Sequence, residues 1–405
     1  MARPGSAMPP VLWSLLFGNV VIGTGVMVVP GTLNELSTSL RVDIASAGQL
    51  ISAAALVMCL GAPLLAAVVA GWDRRRLLAI TLLWYGVMHL ACTLASDLAT
   101  LLPLRVLAVV APAIFTPQAA ACVGLLVPPQ QRGQAITFVF LGWSVASVMG
   151  MPLAAFIGGT LGWRAAFAGV GLLSLVGAAW VWRAMPDGVR PAALSRAAWA
   201  ETFRSRALML TLSVTVLFSA GQFVLFSYFS PYWRQILGVS PTQLSVMFLG
   251  FGLFGFIGNA LMSRHIDRVG VDRAVFISLG LIALSLAAWP LATSMALAML
   301  VCIPWALGCF SSNSAQQARL VAIAPVLAPA SIALNSAGMY GGQAVGAGLG
   351  GLIITAGGMQ WLNWAGLAGM LLALGASLLA ARAGRRSRAE QAAQAAPVAR
   401  ATPAP

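Results

Sequence analysis

Arg105 stands inside "LLPLRVLAVVAPAIF", a stretch that carries no other charge. A guanidinium stays charged at any accessible pH. In an apolar surrounding it is costly unless it joins an ion pair or faces a water-filled cavity, so it is a candidate for function. Eight residues into its apolar run, at ~1.5 Å per residue, it lies roughly 12 Å from the end of a helix. Glu35 and Asp97 lie toward that same end. Either can exchange a proton, and a nearby arginine would hold such a carboxylate ionised until the two separate. Glu35 is the first candidate for the partner of Arg105, although a helix-end carboxylate in water is the commoner use of such a residue. His89 falls in the apolar run before Asp97, and imidazole titrates near neutrality, although a neutral, hydrogen-bonded histidine is the commoner use of a buried ring. Arg105, Glu35, Asp97 and His89 are therefore the candidates for proton exchange. His265 lies among arginines and reads as solvated.

Other chemistry is poorly provided for. The two histidines are far apart, and no nucleophile stands with a base or a cluster of metal ligands, so no catalytic residue, metal or cofactor is expected. Cys59, Cys92, Cys122, Cys302 and Cys309 each lie in an apolar run without C-x-x-C spacing and read as packing residues. The chain has no lysine, hence no G-x-x-x-x-G-K-[ST] loop, which excludes ATP bound by that motif as the driving force. An intramembrane enzyme is a distant alternative, and the pore-lining rings or filter loop expected of a channel do not appear.

The elements that must hold these residues follow from hydropathy. The chain is 60% hydrophobic and 8% charged, where a soluble domain is about a quarter charged. Its charges are gathered at points such as "VVAGWDRRRLLAI". About 20 apolar residues cross a bilayer as a helix, and twelve segments qualify: 12–35, 47–69, 77–96, 98–127, 134–160, 165–183, 207–234, 242–263, 274–293, 295–322, 329–357 and 362–381. Runs such as "LISAAALVMCLGAPLLAAVV" are apolar on every face, which a transmembrane barrel strand is not. The expected fold class is an all-α membrane protein of twelve transmembrane helices in two pseudo-symmetric six-helix bundles. The first segment is kept as a span rather than a signal peptide.

All 23 basic residues are arginine and the net charge is +14. With twelve spans and a cytoplasmic N-terminus, 18 arginines fall inside, three outside and two, Arg105 and Arg319, within helices. That asymmetry is the positive-inside rule; it accounts for the basic balance without a nucleic acid. Both termini are then cytoplasmic. The expected divisions are an N-terminus at 1–11, a first bundle at 12–183, a linker at 184–206, a second bundle at 207–381 and an unstructured tail at 382–405. The halves rhyme. "GWDRRR" holds Asp73, Arg74, Arg75 and Arg76, and "SRHIDRVGVDR" answers with Asp267, Arg268, Gly270 and Arg273. These loops read as topology signals and as gate loops, with Asp73 able to pair with neighbouring helix ends. Small residues recur every four positions at Gly142, Ala146, Gly150, Ala154 and Gly158, and again at Gly338, Gly342, Gly346 and Gly350. Stripes of this kind let helices approach closely in lipid. They serve either as static packing or as a seam on which one half rocks against the other.

The sequence resembles the major facilitator superfamily, in its drug/proton antiporter type and the branch of sugar-efflux, ribonucleoside-efflux and chloramphenicol-resistance permeases. The likeness spans about residues 12–380. Its carriers are "GTGVMVVPGTLNELSTSLRVDIASAGQLISAAAL", "LLPLRVLAVVAPAIF", "LVPPQQRGQAI", "MGMPLAAFIGGTLGWRAAF", "FSPYWRQILGVSPTQLSVMFLGFGLFGFIGN" and "SIALNSAGMYGGQAVGAGLGG". The superfamily's usual G-x-x-x-D-R-x-G-R-R loop is altered here, since Asp73 abuts Arg74–Arg76 directly; the second loop is closer to it. By position Arg105 matches the superfamily's fourth-span arginine, implicated in proton coupling, with Ala108 and Val109 where Gln and Gly usually follow. Val26 stands where the branch often has a carboxylate.

In the superfamily the first, fourth, seventh and tenth spans line a central cavity. The resemblance therefore implies substrate contacts at Asn19, Thr24, Phe115, Gln118, Gln222, Phe226, Tyr228, Asn313 and Gln316, joined by Asn335, Tyr340 and Gln343 of the eleventh span. Uncharged hydrogen-bonding groups beside aromatic rings suit a neutral or amphiphilic solute. The implied function is a monomeric secondary transporter, multi-pass in a bacterial inner membrane, exporting a small organic solute in exchange for protons. A uniporter or an importer is the alternative. The expected partners are the lipid bilayer, that solute and protons.

Overall fold

The computed structural model describes residues 9–128, 131–191 and 195–400, with the backbone alone at 67, 124, 133, 196 and 387–400. Among the described residues, ten helical stretches are long and apolar enough to cross a membrane. They are Pro10–Gly31, Ile44–Ala66, Leu98–Val123, Gln134–Leu161, Trp163–Ala184, Arg206–Leu237, Pro241–Val269, Val271–Leu291, Met295–Ile323 and Met359–Arg386. The other two expected spans are helical as well: α4 covers Arg74–Cys92 and α16 covers Ala328–Gly357. The first begins on three arginines, and the second owes its lower hydropathy to glycine, serine and asparagine, which pack rather than repel water.

The remaining elements are α1 (Pro10–Gly31), α2 (Leu33–Leu40), α3 (Ile44–Val68), α5 (Leu98–Ala108), α6 (Val110–Leu126), α7 (Arg132–Val145), α8 (Met151–Leu161) and α9 (Trp163–Ala184), with α10 (Arg196–Arg204) in the connection. The second half holds α11 (Arg206–Phe226), α12 (Phe229–Leu237), α13 (Pro241–Val269), α14 (Val271–Ala288), α15 (Met295–Ile323) and α17 (Leu362–Arg400). Three spans are broken, each four residues before or just ahead of a proline, because proline has no N–H for the carbonyl one turn back. Pro112 ends α5 at Ala108, Pro231 ends α11 at Phe226, and ahead of Pro152 the helix widens into a π turn at Ala146–Gly150. The last helix runs to Arg400, which corrects the expected unstructured tail over 382–400: alanine, arginine, glutamate and glutamine there are strong helix formers.

The halves repeat residue by residue. Gly142 lies on the Leu16 carbonyl and the Asn19 Cβ, and Gly342 lies on the Val216 carbonyl and the Ser219 Cβ, each group 200 positions after its counterpart. The Asn19 amide donates to the Val139 carbonyl at 3.1 Å, and the Ser219 hydroxyl donates to the Met339 carbonyl at 2.6 Å, again 200 positions on. Both small-residue stripes are thus consumed inside their own half. Gly150 meets Thr24 and Gly158 meets Thr32 on the first span and its end; Gly346 meets Ala220 and Gly350 meets Val224 on α11. The seam between halves expected of these stripes is corrected. A side chain added at Gly142, Gly342, Gly346 or Gly350 would strike backbone, and one at Gly150 or Gly158 would strike a threonine side chain, so the stripes fix α7 and α8 on α1, and α16 on α11.

The halves meet elsewhere on the same elements. α3 packs along α16, and α13 packs along α8 and the π turn. Gly252 of α13 lies against the Ser147 carbonyl, and Gly341 of α16 against Cys59 of α3. Tyr228, in the break after α11, donates its hydroxyl to the Ala347 carbonyl at 2.8 Å and wedges against Gly48, Gly350 and Gly351. Interhelical bonds of this kind contribute about 0.6 kcal/mol each in a bilayer.

Candidate functional site

Arg105 is buried, held by α5 one turn before the break at Val109. Its Nη1 lies 3.3 Å from His89 Nε2 and its Nη2 donates to the Val26 carbonyl at 3.4 Å. Among the described residues it joins no ion pair, and its Nε has no hydrogen-bond partner. His89, one turn after Tyr85 on α4, has its Nδ1 2.9 Å from the Tyr85 carbonyl, and its ring lies edge-on to the Tyr85 ring at 4.2 Å. Two of the four proton-exchange candidates are thereby brought together.

The other two are not. Glu35 forms its ion pair with Arg234 of α12, which corrects the expected Arg105–Glu35 pair. Beside it the Asn34 amide donates to the Ser230 hydroxyl at 2.8 Å, so α2 and α12 are clasped across the halves. A surface cleft of about 500 Å³ opens next to this clasp, between Asn34, Glu35, Gly159, Arg164 and Arg234. Asp97 is exposed and caps α5, accepting from the Thr100 N–H at 2.8 Å and from its hydroxyl at 3.1 Å. Those bonds hold its carboxyl below the usual carboxylate range.

Most of the expected cavity residues are engaged between helices. Asn19 accepts from the Thr116 hydroxyl at 2.9 Å, and Phe115 packs under Gly18. Thr24 donates back to the Val20 carbonyl at 2.8 Å. In the second half the Thr215 hydroxyl donates to Asn335 at 2.6 Å, and the Asn335 amide donates to Asn313 at 2.9 Å. The Gln316 amide donates to the Thr211 carbonyl at 2.8 Å, while its Oε1 is buried without a partner. Gln222 accepts from the Trp305 indole at 3.3 Å, and Phe226 joins an aromatic cluster with Phe229, Phe251 and Trp305. Gln118 and Gln343 are buried, and Tyr340 and Asn313 are half-buried.

Two comparisons in sequence and one in structure bear on this arrangement. Residues 15–326 and, in a second match, 211–404 fit the profile of the Major Facilitator Superfamily. The chain belongs to the Major Facilitator Superfamily. It is 27% identical to the MFS-type transporter YbcL of Bacillus subtilis (strain 168), over 91% of this chain and 95% of that protein. It is 31% identical to a chloramphenicol resistance protein of Streptomyces lividans, over 64% of this chain and 68% of that one. Among solved structures, a bacterial homolog of the human lysosomal transporter Spinster superimposes with a TM-score of 0.75 at 17% identity, covering 95% of this chain and 99% of that one. The superfamily member described here is an integral, multi-pass membrane transporter and not an enzyme.

The superfamily's loop after the second span is tied to its own half. Asp73 caps α4, accepting from Arg75 N at 3.0 Å and from Gly188 N at 2.6 Å at the end of α9. Arg74 donates to the Val69 and Trp72 carbonyls just after α3, Arg75 pairs with Asp187 at 2.6 Å, and Arg76 is exposed. In the matching loop Asp267, Arg268 and Arg273 are exposed, and Gly270 takes a φ of 84° where the chain turns. The acid engaged there is Asp272. Arg319, fully buried, reaches Asp272 at 2.8 Å and the Ser377 carbonyl at 2.9 Å, joining α14, α15 and α17. Sequence reasoning noted Arg319 only as an arginine within a span; its burial deep in the tenth apolar run was the available signal.

Proposed function

We propose that this transporter exports a small neutral or amphiphilic organic solute in exchange for protons by alternating access. One observation carries the reading: among the described residues, side-chain bonds clasp the halves at one end only. Glu35–Arg234 and Asn34–Ser230 cross between halves at the Glu35 end, whereas the ion pairs at the Asp73 end, Arg75–Asp187, Arg319–Asp272 and Arg385–Asp272, each stay within a half. Along α3 the contact with α16 reaches Cys59, about 22 Å from the first residue of α3 at the helical rise. No residue from Cys59 to Ala66 is buried on any face, whereas Ala47, Leu50, Ile51, Ala54, Ala55 and Met58 before them are buried. A molecule closed at one end and parted at the other is one of the two states that alternating access requires.

The arginine asymmetry supports placing the Asp73 end and both termini in the cytoplasm of a bacterial cell, hence a cytoplasm-open state. The uncharged amides beside aromatic rings in the second half, and the resistance for which one relative is named, support export of a neutral or amphiphilic solute. A second reading, a uniporter, is favoured by the absence of carboxylates from the span interiors. The deciding experiment is transport by reconstituted vesicles over a panel of sugars, nucleosides and amphenicols, with and without a pH gradient. Gradient-driven accumulation of one solute is expected; accumulation of none beyond equilibrium would leave the uniporter. Alkaline phosphatase activity from a fusion at residue 75 would reverse the orientation.

A further inference from the structure

The nine acids of the chain all lie in loops, at helix ends or in segments outside the span interiors. Exchange for protons through this chain therefore needs a carrier of another kind, and the Arg105–His89 contact supplies one. The Tyr85 carbonyl, 2.9 Å from Nδ1, can only accept, so Nδ1 carries the ring hydrogen. Arg105 Nη1, 3.3 Å from Nε2, can only donate, so Nε2 presents its lone pair. The ring is then neutral with that lone pair occupied by a guanidinium.

We propose that His89 Nε2 is the proton-binding atom of this transporter, and that a proton and Arg105 compete for it. The inference rests on the proton-exchange reading above and names its site. A proton cannot join Nε2 while Arg105 donates to it, because two N–H groups and two positive charges would then face each other. On uptake, a proton from water forms the Nε2–H bond, and Arg105, still charged, moves its hydrogen bond to another acceptor. On release the original contact re-forms.

The surroundings permit that motion. The groups facing His89 are Tyr85 on its own helix, Arg105 from α5, the Phe167 ring from α9 at 5.7 Å and the Gly25 carbonyl of α1, with Cys92 beside Arg105; neither α1 nor α9 brings a titratable side chain. Arg105 is held by neutral groups alone among the described residues, the Tyr85 hydroxyl included, one of its bonds is as long as 3.4 Å, and its Nε is unpartnered, so no ion pair has to break when it changes acceptor. α5 meets α6 at Val109, where Pro112 has no N–H for the Ala108 carbonyl, which gives the span a point at which it can bend.

Nitrogen-15 NMR of the purified full chain reads the proton directly. The chain has two histidines, and His265→Gln assigns the signals. At neutral pH His89 should show Nδ1 protonated and Nε2 bare; the opposite tautomer, or a doubly protonated ring, would overturn the proposal. In vesicles, His89→Gln keeps an acceptor for Arg105 but cannot gain the charge. Using whichever of lactose, thymidine or chloramphenicol the parent accumulates, the variant should lose gradient-driven accumulation and keep gradient-free exchange of labelled for unlabelled solute. A His89→Gln protein driven as well as the parent would overturn this site while leaving proton exchange standing. A parent indifferent to the gradient would overturn both.

Discussion

At the scale of single residues, the charged groups divide by what surrounds them. Asp97 illustrates the sign of a pH effect. Its folded carboxyl titrates below the ordinary range because Thr100 donates to it, so the cap it provides is complete above the unfolded value and is lost only as pH falls through the folded one. Between pH 5 and pH 8 nothing about it changes. Asp97→Asn is therefore expected to leave the pH profile of transport where the parent has it; a displaced profile would return Asp97 to the proton path. Arg319 is the opposite case, a buried cation joining three helices through Asp272 and Ser377. Arg319→Gln should lower stability in detergent by about 2–3 kcal/mol, below the range for a fully buried pair because Asp272 keeps some water. Thermal unfolding of the purified variant measures it. The identity of these exceptional residues was legible in the sequence, since an arginine or histidine in an apolar run announces itself. Their partners were not. Glu35 and Asp97 lie toward the same end as Arg105, and sequence alone contains nothing about which way α2 turns after Thr32, which is what delivers Glu35 to Arg234.

At the scale of elements, hydropathy located the spans and small-residue spacing located their closest approaches, yet neither shows which neighbour is approached. The four-residue repeat of α16 fixes one face, and geometry gives that face to α11, while α3 takes another part of the same helix at Gly341 and Gly351. Leucine at two glycines separates these possibilities. Gly346→Leu would push a side chain onto the Ala220 carbonyl and should abolish folded protein, read by size-exclusion profile. Gly348→Leu, with nothing within 4 Å of the added Cβ, should fold and transport as the parent does. Equal behaviour of the two would mean that α16 does not pack as described. The breaks at Val109 and after Phe226 were present in the sequence as Pro112 and Pro231 but silent, because a proline in a membrane helix kinks, breaks or widens it according to neighbours that only the fold supplies.

At the scale of the whole molecule, the clasp at the Glu35 end has to open if the other end is to close. Cysteines at Asn34 and Ser230, whose side chains are 2.8 Å apart, offer a reversible lock. Oxidised Asn34→Cys, Ser230→Cys protein should lose transport by at least about tenfold and recover it on reduction, since a conformational step that cannot occur caps turnover. Undiminished transport in the cross-linked protein would show that α2 and α12 stay together through the cycle.

The 120-residue interval between Asn19 and the Val139 carbonyl that receives its amide also has a meaning in time. At about 5–20 residues per second of synthesis, the first helix waits roughly 6–24 s for that carbonyl to be made. During the wait its amide is in or beside the bilayer without that partner, a state that hydrocarbon penalises. The interval recurs between Ser219 and Met339, so the nascent chain passes through two such periods of exposure, one for each half. Slow translation between residues 20 and 140, or between 220 and 340, would lengthen them and present an unfinished half to membrane quality control, whereas slow translation of the connection at 184–206 would prolong neither.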